Sequence, residues 1–506
     1  MKMVAPLILL GALAPTAALA QARPCESLIS LSLPDTTITM AQTVTAGALT
    51  VSSNFGTDAW ADLPAFCRVA ATLTPSSDSN IRIEVWIPVS GWHGRFQAVG
   101  AGGLAGRIPY RLMARALTAG YATAGTDTGH VGNNADFMPE HPEKLVDFAY
   151  RANHEMAVAA KSVISSYYGK PPTRSYYNGC SGGGRHGLTS AQRYPGDFDG
   201  IVVGASSWDQ ARLDAVRIGI NLTVNRTPES RIPTSKYPMI HEAVLEACDG
   251  SDGLRDGVIG NPRQCNFDYA ILLCGGGDGA SCLTAPQVES ARVLTSPFRD
   301  RTTNNVLFEA HLWPGTELGW GRLGGPKPLV NSMARVRNFH LKDPNWEPHL
   351  DNVAEDIERA TTMDGGLLAS NNLNLKPFFD RGGKLLMWHG WDDPQVPAQN
   401  SIIFYEGVWN TVGREAEDSI ALFLLPGVAH CRGGPGADTF DVMAGIEQWV
   451  EQGEEPLRIS ASHSTDGRID RTRPLCPYGE VAEYVGSGST DDEANFACKP
   501  EATTGR

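Results

Sequence analysis

Several features that define large classes of protein are missing from this 506-residue sequence. Beyond its N-terminal segment there is no uninterrupted apolar run of about 18 residues, which a bilayer-spanning helix requires. There is no Cys-x-x-Cys pair of the kind that binds zinc, and no Gly-Lys-Ser/Thr signature of a phosphate-binding loop. Heptad seams, short repeats and low-complexity tracts are also absent. The sequence therefore does not favour a membrane-spanning, zinc-binding, P-loop or coiled-coil protein.

Positive charge is scarce. The chain has 42 lysines and arginines against 56 aspartates and glutamates, and its formal net charge is −14. These charges are not gathered into long runs of one sign. An acidic protein of this kind is a poor partner for nucleic acid or for an anionic membrane surface. We therefore expect neither as a partner.

The first twenty residues have the pattern of a secretory signal peptide. Lys2 supplies a positive start, residues 4–14 are a short apolar stretch, and Ala18-Leu19-Ala20 is a small-x-small cleavage site. A retained N-terminal anchor is the alternative. The short alanine-rich segment is typical of a bacterial signal, so we predict a secreted or periplasmic protein.

All ten cysteines follow this segment, which is typical of proteins from an oxidising compartment. Sequence alone does not fix their pairing, because ten cysteines allow roughly 945 complete pairings. Short separations suggest three pairs and elimination suggests a fourth: Cys248–Cys265, Cys274–Cys282, Cys476–Cys498 and, by elimination, Cys25–Cys67. The remaining pair, Cys180–Cys431, is argued below.

Segments typical of buried strands alternate with helical segments along much of the chain. This alternation predicts a mostly parallel sheet covered on both faces, an α/β architecture. The predicted strands are 95–99, 121–125, 176–179, 200–204, 384–389 and 420–425, and the predicted helices are 111–120 and 147–165. Residues 81–88 alternate with a period of two, which indicates a strand with one solvated face.

The alternation stops between residues 207 and 372. This stretch holds four cysteines, a glycine-rich segment at 275–279 and several tryptophan-containing loops. We therefore predict an inserted domain over residues 207–372, within an α/β domain made of residues 21–206 and 373–506. The residues argued below to carry the chemistry flank this insertion, so we expect it to cover their site as a lid.

The string Gly179-Cys180-Ser181-Gly182-Gly183 is the strongest chemical signal in the chain. Gly-x-Ser-x-Gly is typical of a serine on a sharp strand-to-helix turn, where its hydroxyl can attack an ester or amide carbonyl. Such a hydroxyl needs a base, and His430 is the candidate. A cysteine precedes Ser181 and another follows His430. A Cys180–Cys431 disulfide would hold nucleophile and base together.

The base in turn needs an orienting carboxylate, which in hydrolases of this architecture lies between the serine and the histidine in the chain. The candidates are Asp392 and Asp393, directly after the predicted strand 384–389. We favour Asp393, because Pro394 stiffens its backbone. Strand 420–425 brings His430 to the same carboxyl edge of the sheet, where ligands bind in open α/β folds.

A tetrahedral intermediate needs two backbone N–H donors. Gly182, directly after the nucleophile, is expected to supply one of them. The glycine-rich segment 100–106 follows a predicted strand, and Gly102 and Gly103 are the candidates for the second donor. A phosphate-cradling loop is the weaker interpretation, since the lysine signature of such loops is missing.

At this point the chain resembles the tannase and feruloyl esterase family, which also contains the hydrolase of mono(2-hydroxyethyl) terephthalate. The resemblance extends from about residue 25 to the C-terminus. The matching segments are Gly125–His130, Phe148–His154, Tyr177–Arg185, Gln192–Gly200, His389–Pro394 and His430–Gly434. It implies an α/β-hydrolase fold with an inserted lid that binds an aromatic acyl group. It also implies Ser181 as nucleophile, His430 as base and Asp393 as orienting acid of a serine carboxylic-ester hydrolase.

Carboxylates and glycines also alternate between Cys248 and Val258. On composition alone, such a segment is more often plain surface than a metal site, and its spacing is not that of an EF-hand. The resemblance implies a structural Ca²⁺ held there. Its ligands would be the side chains of Asp249, Asp252 and Asp256 and the backbone oxygens of Leu254 and Val258. No organic cofactor is expected.

We therefore predict a secreted serine esterase that hydrolyses small esters of phenolic acids such as ferulate, p-coumarate or gallate through an acyl-enzyme. Terephthalate monoester hydrolysis is the alternative within the family. That substrate needs a cation in the pocket, for which Arg322, Arg335 and Arg337 are candidates. The terephthalate hydrolase has an aromatic residue three positions after its catalytic aspartate, where this chain has Val396. A serine peptidase and a non-catalytic, calcium-stabilised envelope binding protein are alternatives of other classes.

Three tryptophans of the insertion could line an aromatic pocket, although packing is the simpler expectation: Trp313, Trp320 and Trp346. His130 and His154 are expected to be structural, because His430 already fills the position of the base. Asp127 is expected to accept hydrogen bonds from backbone N–H groups.

Overall fold

The structure, a computed structural model, describes residues 22–53, 56–104 and 106–501. The predicted signal peptide, residues 1–20, lies outside these ranges. No helix in the described ranges is long and apolar enough to cross a bilayer.

The described residues form eighteen strands. In chain order they are β1 (Thr36–Val44), β2 (Leu49–Ser53), β3 (Gly56–Trp60), β4 (Phe66–Leu73), β5 (Ile81–Pro88), β6 (Arg95–Gly100), β7 (Ala122–Thr126), β8 (Arg174–Cys180), β9 (Gly200–Gly204), β10 (Phe298–Arg299), β11 (Val306–Phe308), β12 (Lys384–Gly390), β13 (Ile420–Leu425), β14 (Thr439–Phe440), β15 (Ile459–Thr465), β16 (Arg468–Leu475), β17 (Glu480–Tyr484) and β18 (Phe496–Pro500).

Thirteen α-helices lie in the same ranges. They are α1 (Tyr110–Thr118), α2 (Pro142–Val146), α3 (Ala152–Tyr168), α4 (Gly182–Arg193), α5 (Gln210–Val224), α6 (Tyr237–Cys248), α7 (Ala285–Leu294), α8 (Gly321–Gly324), α9 (Val330–Arg335), α10 (Val353–Asp364), α11 (Lys376–Phe379), α12 (Gln399–Val412) and α13 (Val442–Gln452). A π-helical turn at Asp147–Arg151 joins α2 to α3, so the helix predicted over 147–165 is continued but not uniform.

A nine-stranded mixed sheet is the centre of the molecule, with the strand order β1-β4-β5-β7-β6-β8-β9-β12-β13. Strands β1, β4 and β5 run antiparallel to their neighbours. From β7 to β13 all neighbours are parallel. Parallel strands need helical crossovers, so both faces are covered and the strands are buried. The predicted α/β-hydrolase fold is confirmed.

One expectation for the sheet is wrong. Strand β5 has the predicted bounds, but only Arg82 is exposed, and both faces are buried. The second face carries Trp86, which packs in an apolar cluster with Phe66 and Met113 of α1. On that face Glu84 accepts hydrogen bonds from Arg68, Tyr110 and Trp86 itself. The alternation with a period of two therefore reflects polar side chains that are hydrogen-bonded beneath a helix, and not a face exposed to solvent.

Residues 207–372 add no strand to the central sheet. They build most of a second apolar core, which includes Val216, Ile240, Trp320 and Val336 and is completed by Val396 from beyond the insertion. Both ends of this insertion meet: the Ser370 N–H donates to the Trp208 carbonyl at 2.6 Å, and the neighbouring residues on each side form a β-bridge. The segment thus leaves the α/β scaffold after β9 and returns to it at one point.

All ten cysteines are paired, and the five disulfides join the pairs that the sequence suggested. They are Cys25–Cys67, Cys180–Cys431, Cys248–Cys265, Cys274–Cys282 and Cys476–Cys498. Five such bonds are typical of a protein that folds in an oxidising compartment.

Candidate active site

Ser181 lies between β8 and α4 in a conformation that non-glycine residues rarely adopt, with φ 61° and ψ −123°. The turn is held by the Ser181 N–H, which donates to the Gly204 carbonyl at 2.9 Å. It also depends on close backbone contacts. A Cβ at Gly179 would lie 2.6 Å from the Gly183 carbonyl, and one at Gly183 would lie 2.6 Å from the Gly100 carbonyl oxygen. Strain of this kind exposes the hydroxyl at the edge of the sheet.

Three side chains meet there in one hydrogen-bonded line. His430 Nε2 lies 2.9 Å from Ser181 Oγ, and His430 Nδ1 lies 2.5 Å from Asp393 Oδ2. Because an ionised carboxylate only accepts, Nδ1 carries a proton and Nε2 is left to accept from the hydroxyl. A serine, a base and an orienting acid in this order have the geometry of a nucleophilic triad.

The Asp393 carboxylate is fully buried. Its Oδ1 accepts the N–H groups of Gln395 and Val396, both at 2.9 Å, and Oδ2 accepts from His430 and His389. Burial alone would raise the pKa of this carboxyl, but electrostatic attraction to His430 and the hydrogen bonds from both histidines hold it below its usual value. The site therefore contains an ionised acid.

Asp392 does not reach His430 in this arrangement. Its side chain lies against the insertion, 3.0 Å from where a Cβ on Gly315 would be. Burial, followed by the negative charge of Glu317, raises its pKa to about 7. Of the two candidate acids, the structure thus brings Asp393, the favoured one, to the histidine.

The Cys180–Cys431 disulfide lies directly beside the triad. It joins the residue before Ser181 to the residue after His430, which are 251 positions apart, with Cα atoms 6.1 Å apart. Cys431 has φ 65°, so the chain turns sharply after His430. The covalent bond therefore fixes the separation of the two residues that share the hydroxyl proton.

The glycine-rich loop after β6 lies against the nucleophile. A Cβ on Gly102 would be 3.4 Å from Ser181 Cβ, and one on Gly182 would be 3.1 Å from the Gly103 carbonyl oxygen. Gly103 has φ +69°, a conformation that suits glycine. The three expected oxyanion residues are thus neighbours around one point next to Ser181.

The sequence analysis missed Asn133, which holds this loop in place. Its Oδ1 accepts the Leu104 N–H at 3.0 Å and lies 3.2 Å from a Cβ built on Gly103. Asn133 lies 29 residues further along the chain than Leu104. Nothing local in the sequence signals such a contact.

Ser181 opens into a cleft of about 1190 Å³ between the sheet edge and the insertion. The sheet side contributes Gly102, Gly103, Ser181, Gly182 and His430, and the insertion contributes Gln210, Arg217, Arg322, Val330 and Arg335. None of the three singled-out tryptophans is among the lining residues. Trp320 and Trp346 are buried in the core of the insertion, and Trp313 packs against Trp391.

The three candidate cations of the insertion differ in whether they are free to bind a substrate carboxylate in the cleft. Arg335 is buried and binds Asp214 through two nitrogens, at 2.6 and 2.7 Å. Arg337 pairs with Glu347 and is not part of the cleft wall. Arg322 lines the cleft. Arg217, which the sequence analysis did not single out, is buried and also lines the cleft.

The chain is similar to known proteins over most of its length. The family profile described as "Tannase and feruloyl esterase" matches residues 67–307 and 329–499, most of the chain. The chain belongs to the tannase and feruloyl esterase family. The segments around Ser181, Asp393 and His430, which carry the resemblance, lie within the matched residues.

Individual members of the tannase and feruloyl esterase family align over nearly the whole chain. A Xanthomonas campestris protein named "Uncharacterized esterase" is 38% identical, covering 97% of this chain and 93% of that protein. Feruloyl esterase C of Talaromyces stipitatus is 30% identical, covering 94% of each. The crystal structure of feruloyl esterase B from Aspergillus oryzae is 30% identical with a TM-score of 0.86, covering 94% of this chain and 99% of that one. The protein is accordingly a carboxylic-ester hydrolase.

His130 and His154 lie away from the triad. His154 Nδ1 is 2.8 Å from Asp197 Oδ2, and the ring stacks on Tyr194. His130 is buried beside Phe137, and burial lowers its pKa to about 4. Asp127 accepts the N–H groups of Arg82 and Gly129, both at 2.9 Å, and burial raises its pKa to about 7. The first two have structural contacts only, and Asp127 has the expected backbone partners.

The aspartates of the expected calcium loop follow α6, inside the Cys248–Cys265 loop. Asp249 accepts the N–H groups of Asp256 and Gly257, and Asp252 accepts that of Leu254. Burial raises the pKa of Asp252 to about 6, and the negative charges of Asp256 and Asp249 add to the rise. Mutual repulsion among carboxylates is what a bound cation would relieve.

The same loop also has partners within the protein. Asp256 Oδ2 accepts from Arg473 at 2.6 Å and lies 3.7 Å from Arg471. In the part of the chain that the structure describes, no three His, Cys, Asp or Glu side chains are arranged to hold a metal ion together. Carboxylate and carbonyl oxygens fit the chemistry of Ca²⁺. Calcium binding therefore stays a prediction.

Proposed function

We propose that Ser181 is the nucleophile of an esterase that hydrolyses esters of aromatic acids through an acyl-enzyme. The observation that carries this proposal is the line from Ser181 Oγ through His430 to Asp393, at 2.9 and 2.5 Å. His430 Nε2 takes the hydroxyl proton as Oγ bonds to the ester carbonyl carbon. His430 then gives that proton to the departing alkoxide, and the alcohol leaves.

Deacylation uses the same groups with water as the nucleophile. His430 Nε2 takes a proton from the water as its oxygen bonds to the acyl carbon, and returns it to Ser181 Oγ as the acid is released. Asp393 stays ionised throughout and stabilises the imidazolium. The negative charge on the carbonyl oxygen in both intermediates needs N–H donors, which Gly182 and the Gly102–Gly103 segment would supply.

The aromatic acyl group is proposed on two grounds. Relatives of this chain are named feruloyl esterases, and a solved structure that shares its fold, at 22% identity, is a tannin acyl hydrolase from Aspergillus niger. The cleft is also large enough for a phenolic acid together with its alcohol. We propose ferulate, p-coumarate and gallate esters as the substrate class, with the insertion acting as the lid over the acyl group.

Terephthalate monoesters are the less favoured substrates. Two of the three candidate cations are engaged, Arg335 by Asp214 and Arg337 by Glu347, which leaves Arg322 in the cleft wall. The argument against these substrates is that Val396 stands where the terephthalate hydrolase has an aromatic residue. No observation favours a peptidase or a non-catalytic binding protein, and the named relatives are esterases.

Labelling with a fluorophosphonate tests the proposed nucleophile. We expect stoichiometric modification of Ser181, located by mass mapping, and no modification or turnover in Ser181→Ala. Ser190→Ala is the matched control, because Ser190 lies on α4, the helix that follows Ser181, but donates to the His186 carbonyl away from the cleft. Full turnover by Ser181→Ala would overturn the proposal.

A substrate panel tests the proposed acyl group. Methyl ferulate, methyl p-coumarate, methyl gallate and a terephthalate monoester are compared by kcat/KM, with the amide of ferulic acid as the peptidase control. We expect the phenolic esters to be turned over faster than the terephthalate ester and the amide. Preference for the terephthalate ester or for the amide would contradict the assignment.

We further propose that the chain is exported by cleavage after residue 20, and that the Cys248–Cys265 loop binds a structural Ca²⁺. Asp249, Asp252 and Asp256 would provide carboxylates and Leu254 and Val258 carbonyl oxygens. The ion would supply loop stability and take no part in ester hydrolysis. N-terminal sequencing of the exported protein tests the first of these proposals, and the chelation experiment given in the Discussion tests the second.

A further inference from the structure

His389 is a buried titratable side chain that the proposed mechanism does not use. It is the last residue but one of β12, four positions before Asp393, and its exposed fraction is 0%. It is not among the residues that line the cleft, and neither is Asp393. Any effect of His389 on the reaction must therefore pass through its hydrogen-bond partners.

The ring of His389 has a partner at each nitrogen. Nε2 lies 2.8 Å from the Val396 carbonyl oxygen and 3.1 Å from Asp393 Oδ2, and Nδ1 lies 2.7 Å from Ser401 Oγ. A carbonyl and an ionised carboxylate only accept, so Nε2 carries a proton. The Ser401 hydroxyl is then free to donate to Nδ1. The neighbours thus fix the tautomer of this histidine.

Val396 closes the arrangement into a ring. Its N–H donates to Asp393 Oδ1 at 2.9 Å, while its carbonyl accepts from His389. Asp393 Oδ2 is left with two N–H donors from different parts of the chain: His430 Nδ1, in the loop after β13, at 2.5 Å and His389 Nε2, on β12, at 3.1 Å. The oxygen that orients the base is therefore shared between two imidazoles.

We propose that His389 is a positioning residue that sets the orientation and the effective charge of the Asp393 carboxylate toward His430. A second donor on Oδ2 keeps the plane of the carboxylate fixed. It also withdraws charge from that oxygen, so that Asp393 holds the imidazolium of His430 less tightly than a singly bonded carboxylate would. The base is then free to act at lower pH.

Among the residues that the structure describes, one other cation interacts with the Asp393 carboxylate. Arg217 of α5 interacts electrostatically with Asp393, and its Nε donates to the Gln395 carbonyl at 2.8 Å. It is not hydrogen-bonded to the carboxylate itself. The two histidines and Arg217 are thus the charged or titratable groups that act on Asp393, and the test changes only His389.

The experiment compares His389→Gln with His389→Met. Glutamine can keep an N–H donor near the position of Nε2, whereas methionine fills similar space with no donor. For His389→Met we expect kcat to fall about 10- to 100-fold, as for the loss of one hydrogen bond to a charged group, with KM changed much less. We also expect the acid limb of kcat/KM to move up by roughly 0.5 to 1 pH unit. His389→Gln should recover most of both.

His154→Gln and His154→Met are the matched controls, because His154 also pairs with an aspartate but lies away from the triad. We expect both to keep wild-type kcat and acid limb. If His389→Gln and His389→Met lose activity equally with an unmoved acid limb, His389 is merely structural and the inference is wrong. Should His389→Met fail to fold, His389→Asn, whose amide is too short to reach Oδ2, takes its place with the same expectations.

The inference rests on the proposed roles of Ser181, His430 and Asp393. The role of His389 can nevertheless be refuted while those three roles stand. Fluorophosphonate labelling of Ser181 in the wild type reports on those roles alone. If Ser181 is labelled and the acid limb of the donor-free variant matches that of the glutamine variant, only the role of His389 is refuted. If Ser181 is not labelled, the proposed mechanism fails first.

Discussion

Arg335 holds Asp214 with two guanidinium nitrogens, at 2.6 and 2.7 Å, and both side chains are buried, with Arg335 in the wall of the cleft. Ser332 and Gln210 donate to the same carboxylate. Burial would raise the pKa of Asp214, but Arg335 more than reverses this and the pKa lies well below its usual value. The pair joins α5 to α9 across the insertion.

Asp214→Asn should therefore be strongly destabilising. It leaves Arg335 buried without a counter-charge, which typically costs about 3–5 kcal/mol when one partner of a buried pair is removed. Chemical denaturation should show a loss of this size. Asp268→Asn, which removes the partner of Arg292 in an exposed pair, is the control and should leave stability unchanged. Equal effects of the two substitutions would contradict the prediction.

Removal of the Cys180–Cys431 disulfide should affect both stability and catalysis. For Cys180→Ser/Cys431→Ser we expect about 2–4 kcal/mol lower stability and a reduced kcat, since the bond holds the neighbours of Ser181 and His430 together. The Cys274–Cys282 disulfide closes a loop with a sequence separation of only 8, so its removal in Cys274→Ser/Cys282→Ser should leave kcat unchanged. Steady-state kinetics on both double variants would show whether the effect is specific.

Asn133→Ala should lower kcat without preventing folding. The substitution removes the acceptor of the Leu104 N–H and loosens the loop that carries Gly102 and Gly103. We expect a loss of roughly tenfold or more in kcat, because a misplaced oxyanion donor weakens stabilisation of the transition state. Asn134→Ala, which removes only a local N–H contact to Asp136, is the control. Identical kinetics for the two variants would show that the loop does not depend on Asn133.

Asp127 should make stability depend on pH in a direction opposite to that of most carboxylates. Burial raises its pKa in the folded protein to about 7 from 3.8. The folded state thus binds more protons between these values, so the contribution is full below pH 4 and is lost as the pH rises through 7. Replacing Asp127 with Asn should remove this part of the slope, on the order of a few kcal/mol. Denaturation curves from pH 4 to 8 that run parallel for wild type and variant would disprove it.

Chelation should lower the thermal stability of the protein, because the proposed Ca²⁺ ion in the Cys248–Cys265 loop would offset repulsion among three carboxylates. We expect a lower Tm in chelator, restored by added Ca²⁺. The triad should stay intact, with Ser181 still labelled below the transition. An Asp249→Asn/Asp252→Asn variant should have a Tm that Ca²⁺ does not change. A wild-type Tm that is the same with chelator and with Ca²⁺ would count against the site.

The sequence predicted the elements that bring the chemistry together. The bounds of β9 and β13 are those expected, and β12 differs by one residue, because uninterrupted apolar segments between glycines and charged residues mark buried parallel strands. The motif around Ser181 and the order of acid and base along the chain place the serine, the acid and the base at one edge of the sheet. Four disulfide pairs could be predicted from short separations or by elimination. The fifth could be predicted because its cysteines adjoin the expected nucleophile and base.

Contacts between distant segments could not be predicted in this way. Asn133 and the Asp214–Arg335 pair depend on neighbours about 30 to 120 residues away, and isolated polar residues give no local signal. The β5 strand was expected to face solvent because alternation alone cannot distinguish water from a covering helix. His389 stands in the segment that supplied the predicted acid, and its position four residues before Asp393 was the available signal.

The meeting of Trp208 with Ser370 has a consequence for how this family can change. Because the two ends of the insertion meet, the segment can be exchanged without changing the order of the strands in the sheet. Its contacts with the scaffold, such as those of Arg217 with Gln395 and of Asp256 with Arg473, must be kept for the reactive edge to stay in place. Grafting the corresponding segment of another family member between these two residues is a direct route to enzymes with altered preference.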